Sequence, residues 1–321
     1  MKPFLPVFHS VMAEPMEQFV AGKRTQGYDY TDQARTLGYF DRFLAAERYV
    51  GPALTPDLLQ RYVHTTQTLA RYSRRIRLTS VRQFSRWLQV RDPASAVLPN
   101  DILPRGRDSE RFFPIQPEQV AQMMAAATTV LAADPLRARS QHTLLGLLYA
   151  TGLRIGEALA LTPADLASDG LTLRVARGKF GKERLVPLSP STHAALLDYL
   201  AFRRQYATGG NTSPLFLTAG GAALTRAQAY RDFRRLCQHC GLWGRPPPRP
   251  HDLRHNYACR RLALWRQAGR DINAMLPILA TAMGHVNYSA TQRYLHVDAV
   301  ALQDASTKFL TYVTRHTETH P

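Results

Sequence analysis

The chain has 321 residues, which at about 150 residues per domain suggests two domains. Lys and Arg number 41 against 24 Asp and Glu, a formal charge of +17, while hydrophobic residues reach 45%. This excludes a wholly disordered basic chain, which lacks the apolar surface to offset chain entropy, and three cysteines exclude a disulfide scaffold. No run approaches the ~18 apolar residues of a membrane span. The start, MKPFLPVFHSVMAEP, has one Lys and an apolar stretch broken by prolines and a His, which makes a poor signal peptide. A soluble, cytoplasmic chain of this charge is expected to bind a polyanion, nucleic acid first; a basic enzyme whose charge serves solubility is the other reading.

The first part reads as helices. Thr31 is placed to cap a segment carrying Tyr39, Phe40, Phe43 and Leu44 at helical spacing. Thr55 followed by Pro56 opens a second segment through Val63. Gln67 to Val90 repeats apolar residues at Leu69, Tyr72, Ile76, Phe84, Trp87 and Leu88. Within it Arg71, Arg74, Arg75, Arg77, Arg82 and Arg86 crowd into 16 residues with no acid from 71 to 90. Arg71, Arg74 and Arg75 share a helical face, so contact with a DNA backbone is favoured over a merely solvated face. Residues 91–114 hold several prolines and charges without helical period and read as an extended linker.

The second part mixes helices with one hairpin. Helical segments include Thr128–Leu131 and Thr143–Ala150. Leu171–Arg177 alternates with period two, and Arg184–Leu188 returns, giving a β-hairpin whose tip carries Lys179 and Lys182. Helices then follow over Ser191–Arg204, Thr225–Cys240 ending at Gly241, His251–Leu264, and Ile272–Met283 ending at Gly284, and Ser289 is placed to cap a short helix. The fold class is mainly α with a small β-sheet.

Four segments carry chemistry. In Thr151-Gly-Leu-Arg-Ile-Gly-Glu157, Arg154 borders an apolar run and needs an anion: either Glu157 at i+3 or a phosphate. A lysine at a hairpin tip can protonate a leaving oxygen, although a solvated turn explains it as well. His251 and Arg254 in HDLRH share a face at a helix start, where phosphate is favoured, and the absent Glu argues against a metalloprotease pair with His255. His285 follows a helix-ending glycine, and Tyr294 is a candidate nucleophile needing charge-neutralising neighbours. Cys237 and Cys240 form a CxxC without the second pair that zinc requires, which favours ordinary burial. Trp243 and Trp265 read as core or interface.

In order, Arg154, Lys179, His251, Arg254, His285 and Tyr294 resemble the active-site series of tyrosine recombinases of the phage-integrase and Xer type. The matching pieces are TGLRIGE, RGKFGKERLVPL, HDLRH, GH and TQRYLHV, spread from about 114 to 300. Phe180 stands where many members have a small residue. The 30 residues between Arg254 and His285 resemble the transposon-associated branch and favour a mobile-element enzyme. The resemblance implies a helical core-binding domain at 1–98, a linker at 99–113 and a catalytic domain at 114–321, whose tail contacts a neighbouring protomer.

It also implies the chemistry. Tyr294 attacks a DNA phosphodiester, leaving a 3′-phosphotyrosyl bond and a 5′-hydroxyl, and strand exchange passes through a Holliday junction. Arg154 and Arg254 clamp the phosphate oxygens and His251 takes or holds the tyrosine proton. Lys179 is the general acid, His285 bonds the phosphate, and Glu157 supports. No cofactor, metal or ATP is implied. The implied partners are double-stranded DNA recombination sites and three further copies in a homotetramer, or a second recombinase in the same synapse, with no membrane and a place at the nucleoid. Arg71, Arg74, Arg75, Arg77, Arg82 and Lys182 are the expected DNA contacts. The competing readings are a type IB topoisomerase-like enzyme and a catalytically inactive DNA-binding regulator.

Overall fold

The computed structural model describes residues 6–103, 112–167, 171–176, 183–206, 213–244, 247–284 and Thr291. Its contacts divide the chain into two units, Met1–Glu110 and Arg111–Pro321.

The first unit holds four helices, α1 (Ala13–Thr25), α2 (Thr31–Ala46), α3 (Pro56–Thr65) and α4 (Arg71–Gln89). Thr55 caps α3 as expected, its Oγ1 accepting from the Leu58 amide at 3.2 Å with Pro56 in the first turn. Thr31 does not cap α2. The residue before the helix is Tyr30, held at φ 52°, and Thr31 is the first helical residue, its hydroxyl donating to Asp29 at 2.5 Å. Helix α1 is an element beyond those expected, yet Met16, Phe19 and Val20 recur at helical spacing and are buried. Phe19 meets Tyr30 and Phe84 edge-on, with centroids 5.5 and 5.7 Å apart, and Phe40 meets Tyr62 at 4.8 Å.

The proline-rich stretch departs from an extended linker over its first half. The Ala96 amide donates to the Leu54 carbonyl at 2.7 Å and the Leu98 amide to Ser85 Oγ at 3.2 Å. Leu98 is fully buried in this unit's core, and Ile102 and Leu103 pack against it. Apolar residues interleaved with the prolines make this segment a strap on its own unit.

The second unit is built on α6 (Pro135–Thr151), with α5 (Pro117–Val130), α7 (Ile155–Leu159), α8 (Pro190–Arg204), α9 (Arg226–His239), α10 (Pro250–Gln267) and α11 (Ile272–Met283). Ten residues distributed around α6 are buried, as suits a central helix, and α5, α8 and α10 pack on it. Asp134 caps α6 by accepting from the Arg137 amide at 2.9 Å. Arg137 then grips the buried Asp232 of α9 with two bonds of 2.6 and 2.8 Å. The strands β1 (Thr172–Val175) and β2 (Arg184–Pro187) pair antiparallel, Thr172 opposite Pro187, so the hairpin arms stand where the alternation places them. The hairpin tip, the Ser289 cap and the C-terminal tail lie outside the described residues. Helix α9 reaches its expected stop at Gly241, held at φ 67°.

Candidate active site

Helix α6 ends at Gly152, whose φ of 65° is the left-handed value of a helix C-cap. A Cβ there would collide with the Tyr257 ring, so glycine is required twice over. The chain then turns through Leu153 to Arg154, which opens the short helix α7. Glu157, in the first turn of α7, accepts from the Arg154 amide at 3.0 Å and from Arg154 Nη1 at 2.8 Å.

Two more arginines meet this pair. Arg184, at the start of β2, donates from Nη1 and Nη2 to the two Glu157 oxygens at 3.2 and 2.8 Å. Arg254 comes from α10 and is 1% exposed; it donates to the Gly152 carbonyl at 2.6 Å and to the Met283 carbonyl at 2.7 Å. All three guanidiniums converge on the last turn of α11. Arg184 Nε donates to the Ala282 carbonyl at 3.0 Å, and Arg154 Nη2 to the Gly284 carbonyl at 3.0 Å. These carbonyls are the orphan acceptors of a helix end and the negative pole of its dipole, so cations belong there.

Among the described residues, the charged side chains bonded to one another or to this shared helix end are three guanidiniums and one carboxylate. Burial pushes the Glu157 carboxyl up, but its bonds from Arg184 and Arg154 outweigh that and hold it below the ordinary value. The Arg154 side chain is 29% exposed, and its Nε meets no acceptor among the described residues. It therefore has a donor to offer an incoming anion.

His251 lies in the first turn of α10, one turn before the buried His255, with the two rings edge-on at 4.8 Å. His255 stacks in turn on Phe112 at 5.7 Å. Part of His251 faces solvent, yet desolvation of its crowded ring, then the His255 ring and the Arg254, Arg249 and Arg154 charges, all disfavour the imidazolium. Together they push its pKa down to about 3. The free protein thus carries a neutral imidazole at pH 7, a hydrogen-bond acceptor whose basicity is held low until an anion offsets the surrounding cations. In an NMR titration of labelled histidines, the His251 signal, assigned with His251→Gln, is expected to stay flat from about pH 8 to about pH 5. An inflection near the ordinary histidine value would contradict this. A bound phosphodiester favours the charged form and should shift the titration upward.

The structure thus brings together Arg154 and Arg254 and puts His251 one turn from the latter. Lys179, Lys182, His285 and Tyr294 lie outside the described residues; His285 is next in sequence to Gly284. Arg184 was not among the expected site residues. The signal was legible: it sits two positions before the buried Val186, so strand alternation turns it inward, where a charge needs a buried anion. Cys237 is buried in α9, and burial pushes its thiol up to about 12, so it behaves as an apolar residue rather than a thiolate. Trp243 is exposed, which excludes the core half of its core-or-interface reading, while Trp265 packs against the small cluster of α10 and α11.

In the first unit, α4 separates its arginines. At 100° per residue, Arg71, Arg75, Arg82 and Arg86 form one strip flanking the core-facing side that holds Leu78, Val81, Phe84 and Leu88, whereas Arg74 falls on that buried side and does not share the face of Arg71 and Arg75. Arg77 points elsewhere, its guanidinium 3.6 Å from the centre of the Tyr39 ring.

The sequence profile of the phage integrase family matches residues 114–300. The chain belongs to that family. The recombinase is 32% identical over 300 residues to the Sinorhizobium fredii integrase/recombinase y4rE, covering 93% of this chain and 96% of that one. To the tyrosine recombinase XerD of Bradyrhizobium diazoefficiens it is 33% identical over 307 residues, covering 82% and 92%. Its fold resembles the Tn1549 transposon integrase in complex with transposon right end DNA, with a TM-score of 0.64 at 17% identity, covering 91% of this chain and 98% of that one. The recombinase is therefore an enzyme that cuts and rejoins DNA in site-specific recombination. Among the described residues, no helix is long and apolar enough to cross a membrane.

Proposed function

We propose that Tyr294 attacks the scissile phosphodiester of a mobile element's recombination site. The phenolic oxygen bonds to phosphorus, the bond to the 5′-oxygen breaks, and that oxygen takes a proton from Lys179. The resulting 3′-phosphotyrosyl link keeps the energy of the cleaved bond, so rejoining by a partner strand's 5′-hydroxyl requires no ATP. Arg154 and Arg254 neutralise the non-bridging oxygens, His251 receives the tyrosine proton, and His285 hydrogen-bonds the phosphate. Two rounds of exchange pass through a Holliday junction in a tetramer on DNA, in the cytoplasm at the nucleoid.

One observation carries this reading: Arg154 and Arg254, distant in sequence, converge on one helix end from which the chain runs directly into His285. Three cations around one carboxylate leave a surplus suited to a phosphate whose charge grows in the transition state. The test is covalent capture on DNA from the ends of the host element, nicked so that the freed strand diffuses away. An SDS-stable adduct supports the chemistry. Joined products with defined ends separate a recombinase from a topoisomerase, which yields only changed supercoiling. Tight binding without adduct marks a regulator.

The first unit then acts as a DNA-binding clamp. Replacing Arg71, Arg75 and Arg82 by Gln is expected to flatten the dependence of log K on log salt by about 0.9 for each phosphate no longer neutralised, roughly 2 to 3 in all. Arg77→Gln should leave the slope nearly unchanged, because its guanidinium already faces Tyr39. Equal slopes in the triple variant and the parent would return the strip to plain solvated surface.

A further inference from the structure

Resting on the strand-transfer reading above, we infer that Arg184 is a positioning residue that holds Glu157 and the α11 end in place so that Arg154 keeps its charge for the scissile phosphate. Glu157 orients Arg154 through the Arg154 amide and Nη1. A buried carboxylate beside a phosphate site is nevertheless a liability. It repels the substrate and cancels the cation it holds. Arg184 removes that liability by engaging both carboxylate oxygens.

Its geometry fits support rather than substrate contact. The Arg184 side chain is 11% exposed, and each of its three nitrogens already donates inside the protein, Nη1 and Nη2 to Glu157 and Nε to the Ala282 carbonyl. Its Nη1 lies 2.7 Å from where a Cβ on Gly284 would stand, so the guanidinium also packs against the helix cap that precedes His285. One residue thus ties the hairpin, α7 and α11 together while adding the charge that offsets Glu157.

The test compares Arg184→Met with Arg184→Met/Glu157→Gln, using covalent capture at saturating nicked DNA and gel-shift affinity. Arg184→Met is expected to slow adduct formation about a hundredfold, the size typical of losing one charge-stabilising donor, with affinity changed only a few-fold. Adding Glu157→Gln removes the stray carboxylate and should restore the rate at least tenfold. A purely architectural role predicts a double variant no faster than the single one, and that result overturns the inference, as does a wild-type rate for Arg184→Met. Arg184→Lys carries the same comparison should the Met variant fail to fold. It keeps the charge, so its loss should be nearer tenfold and Glu157→Gln should not improve it; a gain there also overturns the inference. If the parent binds this DNA yet forms no adduct, the strand-transfer reading falls and takes the inference with it, whereas an active parent with the wrong variant pattern sinks the inference alone.

Discussion

Tyr294→Phe is expected to bind recombination-site DNA with the parent's affinity and to form no SDS-stable adduct. The substitution removes one oxygen and leaves the ring, so packing and charge are unchanged. Each tenfold in rate corresponds to about 1.4 kcal/mol of barrier, and a phenyl ring carries no nucleophilic atom. The loss should exceed roughly ten-thousandfold in a capture assay. An adduct of normal yield from the Phe variant would mean that another side chain attacks.

Arg254→Ala should lose both activity and stability, which separates it from Arg154→Ala. Arg254 is buried and holds the carbonyls of Gly152 and Met283, the ends of two helices. Deleting it takes this donor from the Gly152 carbonyl and leaves the Met283 carbonyl only a long 3.5 Å bond from Arg154 Nη1, a loss of about 1–3 kcal/mol for each poorly satisfied acceptor. Thermal unfolding should therefore move down by several degrees, while cleavage falls by a factor of about a thousand. Lysine is not expected to rescue it, because one ammonium cannot reproduce the planar fork that reaches two carbonyls at once. Arg154 is more exposed, and Glu157 keeps Arg184 when it is removed, so Arg154→Ala should lose cleavage with little change in unfolding. Equal unfolding shifts in the two alanine variants would refute the assignment of Arg254 as the structural member of the pair.

Much of the site is legible in the sequence alone. TGLRIGE and HDLRH mark Arg154 and Arg254, which the structure brings to one helix end, by residue type and order, and the hairpin arms follow from alternation. What escapes is tertiary. Helix α1 lies beside a proline-broken stretch that reads first as a question of targeting, although Met16, Phe19 and Val20 carry the helical period. Thr31 suits a cap by residue type, but Tyr30 in a left-handed conformation starts the helix instead. Leu98 is near prolines, and only the distant Ser85 and Leu54 explain why that segment turns back. Arg184 needs its partner, since inward alternation says that an anion exists without naming Glu157. The burial of Arg254 likewise comes from backbone carbonyls, which no side-chain pattern reveals.

The convergence of three guanidiniums on the carbonyls of Ala282, Met283 and Gly284 fixes the length of α11 from its far end. A single inserted or deleted residue within Ile272–Met283 would rotate that end by about 100° and shift it by about 1.5 Å, presenting different carbonyls to all three arginines at once. Helix α11 is therefore intolerant of insertions and deletions. Changes in chain length between Arg254 and His285 belong before Asp271, in the turn at Gly269, where φ is 66° and a Cβ would meet nothing.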